Sequence, residues 1–290
     1  MSDILKIKKM KRNLITVTAV IVVAILFVAN TVCIGQSVNS VIKKYLTTLP
    51  SVPVSKKTQK YIMSAVYTNR DLYGNFTGKI RVSGEYTRRF NEDSCKWNNV
   101  LISSSDSYSG TFPEGNRQFY IENFRYVPSH KMLQPSVFRD FPTNPEAVYS
   151  RNLIWDMMGI EYFAWDFSDS LKLNKIYCIT GSGNEFAMAD IGTYNHAEIQ
   201  LCWTGISEIK GVLCGIVEFR AIDNKIEMKM DALKTKGTEQ YWGTVWISLT
   251  DRLIEHAEMY GGTIQEIEIA GMDNKFLVKT IRELWVDKIE

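Results

Sequence analysis

The sequence predicts an α+β chain, predominantly antiparallel β, with a seven-strand C-terminal meander curled into a half-barrel and covered by N-terminal helices. Three observations predict it. From Ala197 onward, short β-type runs alternate with turn residues at close spacing. Ahead of them lie segments whose apolar residues recur at helical spacing. The run Tyr241–Leu249 is apolar on both faces, so its second side must be covered by another element. With 290 residues, 45% hydrophobic and 23% charged, the chain is ordinary globular material, long enough to bury a substantial core.

The first element is a membrane signal. Lys6, Lys8, Lys9, Lys11 and Arg12 precede the run LITVTAVIVVAILFVA, Leu14 to Ala29. Cations that stay in the cytoplasm ahead of an apolar stretch that enters the bilayer are what export requires. Two readings stay open for residues 1–35. An apolar run of 16 residues is short for a span and suits a signal peptide, with Gln36 as the mature start after Cys33-Ile34-Gly35. Continued to Ile34, the segment is an uncleaved anchor with its N-terminus cytoplasmic. Asn30, Thr31 and Val32 give Cys33 no lipoprotein setting. Either way residues 36–290 form an exported β-rich domain, in the periplasm, cell envelope or secreted. Helices, strands and long loops are expected over 36–195 and the meander over 196–290.

Ser37–Leu49 sets Val38, Val41, Ile42, Tyr45, Leu46 and Leu49 on one helical face, and a second short helix is expected over Lys56–Tyr67. Gly78–Phe90 alternates as a strand. Asn91–Ser109 reads as irregular, with a strand at Val100–Ser103, and Phe119–Phe124 as another strand. Pro128–Pro145 holds four of the seven prolines and reads as a long packed connection. A helix over Pro145–Met158 follows, with Pro145 at its first position and Asn144 as its cap.

The meander is then Ala197–Gly205, Val212–Ile222, Lys225–Leu233, Tyr241–Leu249, Leu253–Tyr260, Thr263–Ala270 and Phe276–Val286. Turns are expected at Ser207–Lys210, Asp223-Asn224, Lys236-Gly237, Thr250-Asp251, Gly261-Gly262 and Gly271–Asn274. Ile226, Met228, Met230 and Ala232 alternate with Glu227, Lys229 and Asp231, giving that strand one wet face. The segment YWGTVWISLTDRLIEHAEMY, Tyr241 to Tyr260, resembles the strand–turn–strand unit of lipoprotein-carrier-like half-barrels. The resemblance covers the C-terminal third and implies long strands cupping an apolar concavity behind a helical lid. It carries over no functional residue.

Few residues suggest chemistry. A hairpin centred on Glu208 would oppose Cys202 to Cys214 and place Ile199, Leu201, Trp203, Val217 and Phe219 on one apolar face. In an oxidising compartment that register forms a cross-strand disulfide. Trp155 to Asp169 concentrates aromatics and acids, and Trp155, Asp156, Glu161, Trp165 and Asp166 are the candidate binding cluster. Paired carboxylates there would serve glycoside chemistry, while the plainer reading packs the aromatics under the sheet with the acids in water. Spacing does not separate the two. His130, His196 and His256 form no metal-ligand spacing, and Gly181-Ser182-Gly183 has neither a dinucleotide nor a hydrolase context. No metal or cofactor is therefore expected. Asn75-Phe76-Thr77 is a glycosylation sequon.

Net charge is +2, but beyond the basic N-terminus the chain is slightly acidic, which argues against nucleic acid as a partner. The expected partners are the membrane, through the N-terminal segment, and a hydrophobic ligand or another envelope protein. The leading expectation is thus a non-enzymatic exported envelope protein. A glycan-active hydrolase using the Trp155–Asp169 cluster and a membrane-anchored assembly or scaffold subunit are the alternatives.

Overall fold

Period-two burial begins earlier than the helical spacing of Lys56–Tyr67 suggested. The computed structural model describes residues 52–179, 185–230 and 233–289. Its first element is strand β1 (Gln59–Asp71), in which Tyr61, Met63, Ala65 and Tyr67 are buried. The same four residues also satisfy part of a helical stripe, and pairing on both edges decides for the strand. The N-terminal apolar run, the expected helix Ser37–Leu49 and Gly181-Ser182-Gly183 lie outside the described residues. Among the described residues no helix is long and apolar enough to cross a membrane.

β2 (Phe76–Arg88) matches the expected strand, and β3 (Cys95–Ser105) extends well beyond the expected Val100–Ser103. Phe119–Phe124 is not a strand. Phe119–Ile121 is a 3₁₀ turn between the two-residue strands β4 (Asn116–Arg117) and β5 (Arg125–Tyr126). Phe124, Phe138 and Phe141 pack together there, so the apolar side chains gather round a turn instead of alternating. The proline-rich connection contains two more 3₁₀ turns.

Helix α1 (Glu146–Trp165) runs seven residues past the expected end, through Gly159, which has open space beside it. Asn144 caps it, its Oδ1 accepting the Ala147 N–H at 3.0 Å. Beyond it come the short strands β6 (Ile176–Cys178), β7 (Glu185–Ala187) and β8 (Gly192–Asn195). The meander has five long strands: β9 (Glu198–Ile209), β10 (Val212–Met230), β11 (Leu233–Ser248), β12 (Ile254–Ile269) and β13 (Phe276–Lys288).

Seven expected strands became five because two of the expected turns, Asp223-Asn224 and Gly261-Gly262, lie inside strands. Asp223-Asn224 is a bulge within β10, with Asp223 at φ 55°, and the strand continues past it. Lys236-Gly237 also lies within a strand, where the missing side chain admits neighbouring backbone: a Cβ on Gly237 would stand 2.1 Å from the Ile264 carbonyl oxygen. The turns at Thr250-Asp251 and Gly271–Asn274 are present.

All these strands belong to one open, antiparallel sheet, ordered β4-β3-β2-β1-β13-β12-β11-β10-β8-β7, with β9 on the other half of β10. The sheet is not confined to the C-terminal part, because β1 pairs with β13 from Tyr61 opposite Lys288 to Asp71 opposite Val278. Among the described residues its cover is α1. Glu161 of α1 reaches Arg88 of β2, while Phe163, two residues on, stacks on Phe219 of β10 at 4.7 Å. Those strands are five positions apart, about 24 Å if flat, and a helix is only about 10–12 Å wide. The sheet therefore curves round the helix.

Candidate functional site

Residues Trp155–Trp165 form the last part of α1. Two of the stretch's acids, Asp156 and Glu161, are taken into the protein, while Asp166 and Asp169, just past the helix end, are exposed. Asp156 pairs with Arg282 of β13 at 3.1 Å, and the same guanidinium reaches Glu239 of β11 at 3.3 Å. The Tyr194 hydroxyl donates to Glu239 at 2.6 Å. Burial outweighs the arginine and lifts the Asp156 carboxyl to about 6. Five residues along the helix, Glu161 accepts from the Tyr86 hydroxyl at 2.8 Å and from Arg88 at 2.6 Å. Its carboxyl is also raised by burial. Arg88 lies over the Trp165 ring at 4.2 Å, and the Trp165 indole donates to the Arg252 carbonyl. Trp155 donates to the Met132 carbonyl and packs edge-on against Phe138. Partial desolvation raises Asp166, which interacts electrostatically with Arg252 and Arg88. Asp156 and Glu161 thus tie one helix to two separate parts of the sheet, β13 and β2.

The expected Cys202–Cys214 disulfide is not formed. Cys202 stands opposite Glu218 and Cys214 opposite Ser207, and both thiols are free, as are Cys95 and Cys178. The hairpin turns at Lys210-Gly211, both at positive φ (50° and 82°), which is the backbone a two-residue hairpin of this hand requires. That shift of the turn, with a bulge beside Val217, moves the thiols apart in register. The apolar face of the pair is as expected, with Ile199, Leu201, Trp203, Val217 and Phe219 buried.

Of the histidines, His256 lies between Asp287 and Glu258 at 3.0 and 3.2 Å. His196 is lowered by burial beside Asn224 and Tyr241. Among the described residues no group of three or more His, Cys, Asp or Glu could hold a metal ion. Asn75 sits in the exposed β1–β2 turn, its side chain donating to Asp71.

An open cleft of about 710 Å³ lies where the first turns of α1 meet the far ends of β10–β13. That volume is in the range of small-molecule sites. Val148, Ile191, Met230, Leu233, Ile269 and Met272 supply its apolar lining. Behind it, Met188, Ile191 and Tyr194 form a buried cluster against Trp155, Ile226 and Met228. Arg151, Lys229 and Lys234 are also on its wall. None of the five residues of the acidic–aromatic cluster lines it. Sequence reading saw the alternation that contains Met230 and Lys229. It missed Arg151, Leu233 and Ile269, which meet only through the sheet register and the placement of α1.

No protein-family model matches the chain, and no curated protein matches it. Among solved structures, a lipovitellin chain, from a structure titled for lipid–protein interactions in lipovitellin, is 13% identical with a TM-score of 0.44, and the match covers 80% of this chain. This chain spans a quarter (25%) of that one. A DUF1329 family protein from Desulfovibrio piger is 7% identical, with a TM-score of 0.14 over 80% of this chain and 86% of that chain. Both scores are too low to show a shared fold.

Proposed function

We propose that this is a non-enzymatic, exported binding protein that takes an apolar chain into the cleft between α1 and the ends of β10–β13. The carrying observation is the cleft's lining. Val148, Ile191, Met230, Leu233, Ile269 and Met272 converge on about 710 Å³ of open space, with Ile269 and Met272 exposed. Apolar side chains converging on a concavity in this way favour an apolar ligand. Methionines suit a flexible one, since their unbranched side chains adapt to a chain of variable shape. The basic residues ahead of the Leu14–Ala29 apolar run support export, placing the cleft on the outer side of the membrane. Two acids of the aromatic–acidic cluster, Asp156 and Glu161, each hold an arginine away from the cleft.

The test is photolabelling of the full chain in neutral phosphatidylcholine vesicles with a diazirine-bearing alkyl chain, followed by peptide mapping. Label is expected on the peptides carrying Val148, Leu233 and Ile269. Label restricted to the N-terminal apolar segment overturns the proposal.

A further inference from the structure

Independently of the cleft, we infer that the outer face of β11–β13 binds an extended, neutral glycan. Tyr241 and Arg282 point toward α1, where they meet Phe163 and Asp156, so their neighbours Trp242 and Glu283 point the opposite way. Register sets Tyr260 between those two, opposite both. Two residues along, Glu258 stands opposite Trp285, and two further on His256 stands between Trp246 and Asp287. The residues that alternate with these, among them Val245, Ala257, Met259 and Leu284, are buried on the other face. Trp242 is 49% exposed, and its ring lies 26° from parallel to that of Tyr260 at 6.5 Å. Trp246 packs on His256 at 5.1 Å. Four residues separate Trp242 from Trp246 along β11, about 13 Å, and Trp285 lies two strands over, about 10 Å. The rings therefore form a platform longer than one sugar.

The groups between the rings suit hydroxyls. Glu258 accepts from the Tyr260 hydroxyl at 3.1 Å and lies 3.2 Å from His256, whose other ring nitrogen is 3.0 Å from Asp287. These contacts orient the carboxylates and leave lone pairs on them unfilled. Arg220 of β10, opposite Trp242, donates its Nε to Gln200 at 2.6 Å and is otherwise exposed, with further N–H groups to offer. Acceptors and donors of both signs thus surround the rings. A pyranose has matching sides: C–H faces that pack on aromatic rings, and a rim of hydroxyls that donate and accept. Other occupants match only part of the grid. The core of a protein interface is depleted in Glu and Asp, and a bilayer surface favours apolar side chains where these strands carry carboxylates. A basic segment would meet Arg220 beside the most exposed ring. Because the sheet curves round α1, this face is convex and admits the middle of a chain rather than its end.

The experiment titrates the full chain, in neutral phosphatidylcholine vesicles, with cellohexaose, chitohexaose and the anionic hexamer of galacturonate, following tryptophan fluorescence and calorimetric heat. At least one neutral hexamer should bind, and its dimer should bind roughly tenfold more weakly because it reaches fewer rings. W242A should weaken the hexamer roughly five- to tenfold, W242Y should restore most of that loss, and E283Q should weaken it severalfold. All three changes are on the outer face, so their urea midpoints should match wild type and separate lost binding from lost fold. No binding of either neutral hexamer at millimolar concentration overturns the glycan. Galacturonate bound as tightly as the neutral hexamers, or a deca-lysine peptide bound more tightly, overturns the neutral ligand in favour of a charged one. Hexamer binding unchanged in both W242A and E283Q overturns the assignment to this face. None of these results bears on labelling of the cleft, so either reading can fail alone.

Discussion

Asp156 and Glu161 lie five residues apart and so about 140° apart around the helix. That spacing sends one carboxylate to Arg282 on β13 and the other to Arg88 on β2. Two acids so divergent cannot share a substrate, but they can fasten a helix to opposite parts of a curved sheet. Burial raises Asp156 from 3.8 to about 6, so the folded protein holds its proton more tightly than the unfolded chain does. The stability this group contributes is greatest below about 4 and is lost as pH rises through about 6. His196 is shifted the other way, so a single pH profile would blend the two. The difference between wild type and Asp156→Asn isolates the carboxyl. The wild-type urea midpoint, measured relative to D156N, should fall between pH 4 and 6 and then level off. A constant offset across that range would show that Asp156 titrates alike folded and unfolded.

Glycine marks a turn at one place in this chain and a close approach at another, and the difference decides the strand count. In β11, a Cβ on Gly243 would lie 2.1 Å from the Glu258 carbonyl oxygen and 2.4 Å from Phe219 Cζ. The backbone of β12 and a core ring occupy the space a side chain would need. Gly262 in β12 has nothing within 4 Å. Gly243→Ala should therefore cost about 1–3 kcal/mol as an overpacked core, whereas Gly262→Ala should be neutral or gain about 0.5 kcal/mol through the unfolded chain. Urea denaturation of both checks the contrast, and similar midpoints would sink it. The same distinction explains what the sequence let one read. Alternation such as Tyr61, Met63, Ala65, Tyr67 is local, yet over so short a stretch it overlaps a helical stripe, and only pairing with β2 and β13 resolves it. Turn residues are local too, but Gly261-Gly262 and Lys210-Gly211 look alike until φ is known. Gly211 is at φ 82°, while Gly262 sits in an unbroken ladder. The β class, the antiparallel order and helix α1 with its Asn144 cap were thus legible. The cleft was not, because Arg151, Lys229 and Ile269 come from three elements that only the register brings together.

At the scale of the molecule, the pairing of β1 with β13 makes the N-terminal strands and the meander one sheet. The division at residue 196 that turn spacing suggests has no counterpart in the packing. Phe219, Tyr241 and Arg282, all in the meander, are covered or paired by residues 156–163 of α1, and Leu284 and Val286 lie on a strand whose outer edge is β1. A fragment of residues 196–290 would expose that apolar face, leave Arg282 without Asp156 and open the β13 edge to association. It should therefore give no cooperative unfolding transition and should aggregate. The full chain should show coincident transitions by tryptophan fluorescence and far-ultraviolet circular dichroism, as a single cooperative unit does. Trp97 in β3 and Trp203 in β9 report from strands far apart in the sheet order, so a split into two units would separate the probes. A sharp, independent transition for the 196–290 fragment would show that the meander needs neither α1 nor β1. The cleft would then rest on two units free to move apart, and Val148 and Arg151 could not be fixed opposite Met230 and Leu233. The ligand reading and the cooperative sheet therefore stand on the same contact, that of α1 with the ends of β10–β13.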